Sequence, residues 1–232
     1  MTESIPVISV DGPSGSGKGM VATHLAARHG FRLLDSGALY RLVGIAARKA
    51  GIDLESANAD EAVLASLAER LDVDFRPTGD PEDPLVITLS GEEVTRQVRS
   101  DGAGVDASVV AAIQGVRDGL TTLQHSFRRE PGLVADGRDM GTVIFPDAMV
   151  KIYLTASAQA RAERRYNQLK DKDIGVSLHA LFRSIQARDK RDLSRQASPL
   201  KPAEDAHVID STDMTIDEVL KAVQSVVTKK LG

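Results

Sequence analysis

Two hydrophobic textures alternate along the chain. Short β-branched or apolar runs at Val7-Ile8-Ser9-Val10, Phe31-Arg32-Leu33-Leu34, Leu133-Val134-Ala135, Val150-Lys151-Ile152-Tyr153-Leu154 and His207-Val208-Ile209 predict strands. Between them apolar residues recur at helical spacing: Val21, Leu25 and Ala26 up to a stop at Gly30; Val63, Leu64, Leu67 and Leu71; Val105 through Phe127 as one long or two consecutive helices; and Leu178, Leu181, Phe182 and Ile185. A further helix begins at Ser36 and runs to about Ala50, and a closing one carries Val219, Val223, Val226 and Val227. Helix starts are marked by Ser157, by Ser177, by Asn58 with Glu61 and by Thr215 with Glu218. Strand, helix, strand in succession implies a parallel sheet with covering helices, hence an α/β fold.

From about residue 72 to 100 the texture changes. Val73-Asp74-Phe75-Arg76 alternates, the PTGDPEDP stretch (77–84) reads as a loop, and Leu85 to Leu89 is a short strand turned by Ser90-Gly91. Close strands with tight turns pair antiparallel, so a small subdomain inserted into the parallel fold is expected. Composition alone leaves open whether it is a mobile substrate cover or an ornament. Gly102 and Gly104 are a candidate hinge, and the polar stretch Lys170–Gly175 a candidate loop.

Composition narrows the function classes. A net charge of -4 argues against a general nucleic-acid or membrane-surface binder, and 3% aromatics with no Trp argue against a base-stacking platform. The absence of cysteine removes disulfides and thiolate metal sites. No apolar run reaches spanning length and the N-terminus lacks a leader pattern, so a cytoplasmic protein is expected. No apolar seam suggests an oligomer, and a monomer is expected.

Chemistry enters at the first strand. It ends at Asp11 and passes into Gly12-Pro13-Ser14-Gly15-Ser16-Gly17-Lys18-Gly19, followed by Met20 and a helical pattern. Strand, G-x4-G-K loop and helix is the arrangement that cradles a polyphosphate with backbone N–H groups and a helix N-terminus, Lys18 adding a point charge. Arginines then recur near strand ends or in the flexible helical region: Arg41, Arg138, the Arg161/Arg164/Arg165 group and the Arg188/Arg195 pair. ATP with a phosphorylated acceptor carries about six negative charges, which calls for cationic clamps on both. Because an acceptor phosphate is already an anionic nucleophile, no general base is needed; the five histidines are scattered and read as structural or surface residues.

The elements GPSGSGKG (12–19), DSGALYR (35–41), ADGRDMGTVIFPDA (135–148), RDKRD with Arg195 (188–195) and DST (210–212) together resemble the bacterial cytidylate kinases, a group of P-loop nucleoside monophosphate kinases. The likeness runs along almost the whole chain. It implies a five-stranded parallel sheet flanked by helices in a core of residues 1–71 and 101–232, with a short lid at about 160–190 and a monophosphate-binding subdomain at 72–100. It also implies transfer from ATP, with Mg2+, to CMP or dCMP. Carried over by position, Gly12, Pro13, Ser14, Gly15, Ser16, Gly17, Lys18, Gly19 and Met20 wrap the ATP phosphates. Arg41, Arg138 and Arg195 grip the CMP phosphate beside Ser36, while Arg188 and Asp192 reach the sugar. Ser108, Arg117 and Asp139 read the cytosine edge, and Lys18, Arg161, Arg165 and Arg188 act on the transferring group.

Plainer readings stand beside these. Asp139 can cap the turn after it, Arg188 and Asp192 can be a surface i,i+4 pair, and Asp136 can hold a magnesium-bound water or a local turn. Rival functions are a P-loop kinase for UMP, AMP or a metabolite, and a nucleotide-binding switch; the latter lacks its N/T-K-x-D guanine motif here. One departure from the family pattern is Met20, where a Thr usually follows the Gly. The metal is then expected to have no direct protein ligand, its waters oriented by Asp136 or Ser16.

Overall fold

A computed structural model describes residues 5–54, 60–77, 85–170 and 177–231. The element order begins β1 (Val7–Asp11), α1 (Lys18–His29), β2 (Arg32–Asp35), α2 (Ser36–Lys49), α3 (Glu61–Glu69), β3 (Val73–Pro77), β4 (Leu85–Leu89) and β5 (Glu92–Glu93). It continues with α4 (Thr95–Val98), α5 (Asp101–Val110), α6 (Gln114–Ser126), β6 (Leu133–Gly137) and a π-helical turn at Met140–Ile144. The last elements are β7 (Val150–Thr155), α7 (Ala158–Lys170), α8 (Leu178–Ser194), β8 (His207–Asp210) and α9 (Ile216–Leu231). Two compact units divide the chain: Met1–Asp35 with Gln124–Gly232, and Ser36–Leu123.

The first unit is built on a five-stranded sheet in the order β2-β6-β1-β7-β8, every pair parallel. All five residues of β1 are buried, as a central parallel strand covered on both faces requires. Ile8, Val10, Val134, Ile152 and Leu154 pack with Val21 and Leu25 of α1 and Val219, Val223 and Val227 of α9 in one core. Each such side chain contributes about 1.5–3 kcal/mol by leaving water. Gly30 ends α1 in the left-handed region at φ 65, and Thr215 and Glu218 bond reciprocally at the start of α9, as their spacing predicts. The topology also locates a ligand edge. The chain leaves the neighbouring strands β1 and β7 in opposite directions, toward β2 and β8, and such a switch point opens a crevice at the strands' carboxyl ends.

The second unit packs α2 against α5, with a three-stranded antiparallel sheet β3-β4-β5. Gly44 makes the close approach possible: a Cβ there would lie 2.7 Å from that of Asp106. Beside it Arg48 donates two bonds to the buried Asp106 carboxylate, at 2.5 and 2.7 Å. The stretch from Val105 to Phe127 resolves into two helices, and Gly102 and Gly104 fall inside the first, which Ser100 caps at 3.1 Å from the Ala103 amide.

Some expectations are corrected or lie outside the description. Asp60 caps α3, accepting from the amides of Ala62 and Val63, whereas Asn58 lies outside the described residues. So do residues 78–84 of the PTGDPEDP loop and 171–175 of the loop after α7. The short helix α4, the two-residue β5 and the π-helical turn carry no signal in the hydrophobic pattern. Among the described residues, no helix is long and apolar enough to cross a membrane.

Candidate active site

At the end of β1 the backbone turns at Gly12, whose φ is 153 and whose hypothetical Cβ would sit 2.0 Å from the Leu154 carbonyl oxygen. No side chain fits against that backbone. Gly12→Ala is therefore expected to lower stability by about 2–4 kcal/mol and to abolish nucleotide binding, a result that urea unfolding and ADP titration would check. Gly15 and Gly17 also take positive φ, at 78 and 91. Gly17 immediately precedes α1, whose N-terminus has neither a side-chain cap nor an acid in its first turn. That end carries unsatisfied amides and a positive dipole, which suits a phosphate.

Lys18 is the first residue of that helix and is nearly buried. Its Nζ lies 3.3 Å from the Pro13 carbonyl and 4.0 Å from Asp136 Oδ1 at the end of β6. Burial holds the Lys18 pKa below the usual lysine value, with Arg138 and Arg188 adding to the effect and Asp136 and Asp35 opposing it. Burial likewise raises Asp136, against the pull of Lys18. Cations and carboxylates are thus gathered in a site that disfavours charge on either. Ser16 Oγ and Asp136 Oδ1 are buried without a hydrogen-bond partner, and a Cβ on Gly19 would stand 3.3 Å from Asp136 Oδ2. Met20 is 39% exposed.

The segment after β6 is tied to the same edge. The Asp11 carboxylate accepts from the amides of Met140 and Gly141, both at 2.8 Å, and so holds the π-helical turn that follows Arg138 and Asp139. Asp139 is buried, and its side chain makes no capping bond to that turn, so the plain capping reading is not what the structure presents. Arg138 Nε donates to Asp192 Oδ2 of α8 at 3.1 Å, with both groups largely buried.

Burial pushes the Asp11 carboxyl up to about 7, with the two backbone bonds pulling the other way and Asp139 and Asp136 adding to the rise. A carboxyl whose folded pKa lies above its unfolded value binds more protons when folded, so its contribution to stability falls as pH rises from about 4 to 7. The stability of the native chain relative to Asp11→Asn should accordingly decline over that window. Urea unfolding at pH 5 and 7.5 measures it; a difference independent of pH would contradict the assignment.

Helices α7 and α8 bring arginines to the loop. Arg161, 3% exposed, donates to the Ala156 carbonyl and to the Ser14 carbonyl, each at 2.9 Å, and pairs twice with Asp189 at 3.0 and 2.5 Å. Arg188 donates to Ser14 Oγ at 3.1 Å. Arg165 lies on α7 one turn beyond Arg161. Arg164 instead bonds Ser211 through both its hydroxyl and its carbonyl, fastening α7 to the turn after β8. Arg195 closes α8 and donates to the Ser198 carbonyl at 2.6 Å. Asp11 and Asp189 were not among the residues expected from sequence. A strand-end acid before the Gly-rich loop is a usable signal for the first; nothing in spacing ties Asp189 to Arg161.

The second unit holds the remaining candidates. Ser36 is buried at the start of α2, and Arg41 donates to the carbonyls of Val98 and Ser100 at 2.7 and 2.9 Å. Ser108 Oγ donates to the Gly104 carbonyl at 3.2 Å. Arg117, 4% exposed, donates to the Ala111 carbonyl and lies 5.5 Å above the Tyr40 ring. A cavity of about 430 Å³ in this unit, lined by Ala46, Val63, Leu67, Arg70 and Leu89 among others, contains none of these residues.

Comparison with known proteins converges on one family. The family profile described as cytidylate kinase matches residues 8–229. A cytidylate kinase of Cupriavidus necator is 54% identical over 219 residues, covering 94% of each chain. One from Stutzerimonas stutzeri is 53% identical over 230 residues, covering 99% of this chain and 98% of its own, and one from Pseudomonas syringae pv. syringae is 54% identical over 220 residues, covering 95% and 94%. With a phosphate loop at the switch point, a buried lysine inside it and a match along nearly its whole length, the chain belongs to the cytidylate kinase family.

Proposed function

We infer that the protein transfers the γ-phosphoryl group of ATP to the phosphate of CMP or dCMP, yielding ADP with CDP or dCDP, and that it works as a monomer in the cytoplasm. The observation that carries this reading is the tie between two loops: the polyphosphate cradle and the Arg138-Asp139 segment leave the same sheet edge, joined through Asp11. One loop suits a donor triphosphate and the other an acceptor.

In this reading residues 12–20 enclose the ATP phosphates and Lys18 compensates charge on the group in flight. Its buried ammonium, with Arg138 and Arg188 close by, is complementary to a bound polyphosphate. Arg138 and Arg195 take the acceptor phosphate, and Arg188 and Asp192 take the sugar. Arg161, Arg165 and Arg188 steady the transferring group from α7 and α8, the lid segment, while the sheet β3-β4-β5 belongs to the acceptor-side subdomain. Asp139 accepts from the cytosine amino group. Uracil presents a carbonyl where cytosine presents that amino group, leaving Asp139 buried against an acceptor. The attacking phosphate oxygen is already ionised, so no base is required.

Mg2+ fits this site through waters: the partnerless Ser16 Oγ and the Asp136 carboxylate are the groups that would orient them. When bound, the ion neutralises charge on the phosphates. No hydroxyl is available from Met20, whose side chain is partly exposed. Met20→Thr is therefore expected to change kcat less than about threefold at saturating magnesium; a gain tenfold or larger would show that the hydroxyl is needed.

The test of function is ADP release with ATP–Mg and a panel of CMP, dCMP, UMP and AMP. Turnover concentrated on CMP and dCMP is expected. A rate indifferent to acceptor would overturn the reading in favour of a broader kinase or a nucleotide-binding switch.

A further inference from the structure

Asp11 is a buried acid that phosphoryl transfer does not use directly, and its geometry is specific. It is 6% exposed, it ends the central strand β1, and the next residue opens the phosphate loop. Its two carboxylate oxygens are each taken by a different amide, Met140 and Gly141 at 2.8 Å, on a segment 129 and 130 residues further along the chain. Those amides lie one and two residues beyond Asp139. The π-helical turn they begin cannot supply acceptors for its own first amides, and its N-cap residue Asp139 gives no side-chain capping bond. Without Asp11 two buried donors lose their partners and the turn loses its fixed distance from β1.

We propose that Asp11 is a positioning residue for acceptor selection: it fixes the Arg138-Asp139 backbone relative to the phosphate loop, so that Asp139 meets the cytosine amino group at hydrogen-bond distance. The proposal rests on the reading that Asp139 recognises the acceptor base. Asp11 itself acts only through the backbone of residues 140 and 141. Selection between CMP and UMP depends on an acceptor atom placed to within a fraction of an ångström, and a shift of about 1 Å is enough to cost on the order of 100-fold. Phosphate binding at Gly12 to Lys18 relies on backbone on the other side of Asp11 and is less affected.

Asp11→Asn is the informative variant, because asparagine fills the same volume yet turns one acceptor into a donor facing a backbone N–H. The expected result is a rise of about 10- to 100-fold in KM for CMP and a fall of at least about 10-fold in the CMP-over-UMP ratio of kcat/KM. KM for ATP should move less than about threefold. Asp139→Asn is measured in parallel. If Asp139→Asn collapses the ratio and Asp11→Asn leaves it unchanged, lowering only Tm, the positioning role is overturned and Asp11 is merely structural. If Asp139→Asn leaves the ratio unchanged, the reading of base recognition fails and takes this role with it. Should Asp11→Asn not fold, replacing the Met140 peptide N–H by an ester oxygen removes one of the two bonds without altering a side chain. An ester variant with native CMP-over-UMP preference overturns the proposal; a reduced preference with native ATP KM supports it.

Discussion

Lys18→Met is expected to lower kcat by about 10³-fold while leaving the protein folded, with Tm within a few degrees of the native value. The catalytic half follows from where the charge sits. Lys18 stands inside the loop with its ammonium against the Pro13 carbonyl, largely removed from water. A fixed charge in a dry site is worth far more to a transition state than the same charge in solvent, because nothing must reorganise when negative charge moves. The stability half follows from the cost of keeping it there. Burial and the neighbouring Arg138 and Arg188 disfavour the charged form, while Asp136 and Asp35 favour it. Methionine fills the space without that cost.

The variant leaves a second mark. Asp136 is already raised by burial, and Lys18 is the principal group holding it down. With Lys18 gone its folded pKa rises further, so the Met variant should lose stability as pH increases through the range in which Asp136 ionises. Urea unfolding between pH 5 and 8 combined with steady-state kinetics at saturating CMP checks both halves. A variant that retains kcat, or one that unfolds, would show that Lys18 has been misread.

Most of the architecture was legible because burial writes itself into the sequence. Parallel strands covered on both faces must be apolar along their length, which is why β1, β6 and β7 stand out, and Gly12 announces a backbone approach no other residue tolerates. The phosphate loop was legible for the same reason: its constraint is local. The pairings were not. Arg161 and Asp189 lie 28 residues apart, Arg138 and Asp192 lie 54 apart, and each pair meets only because of how α7, α8 and β6 pack. Arg188 and Asp192 share a helix face by spacing, yet one reaches Ser14 and the other Arg138. The π-helical turn was invisible because its amides are satisfied by Asp11 from another strand, a tertiary cause without a local pattern.

Arg161→Ala should be the most destabilising of the charge deletions, by about 3–5 kcal/mol, because it breaks a buried pair from one side only. Arg161 spans three anchors: the Ala156 carbonyl before its own helix, the Ser14 carbonyl in the phosphate loop, and Asp189 on α8. Its removal leaves Asp189, whose side chain is 18% exposed, without its principal cation, and leaves the Ser14 carbonyl without its Arg161 donor. Deleting Asp189 as well removes the uncompensated carboxylate, so Arg161→Ala/Asp189→Ala should be more stable than Arg161→Ala alone, with a coupling of about 1–3 kcal/mol. Urea unfolding of the two single variants and the double variant measures this directly, and additivity would show that the pair carries no specific stabilisation. Kinetics on the same set then separates structure from catalysis. If Arg161 matters to catalysis only because its loss leaves Asp189 uncompensated, kcat should recover along with stability in the double variant. If its guanidinium is needed to hold Ser14 or to face the transferring phosphoryl group, stability returns but kcat stays low, because removing Asp189 restores neither contact.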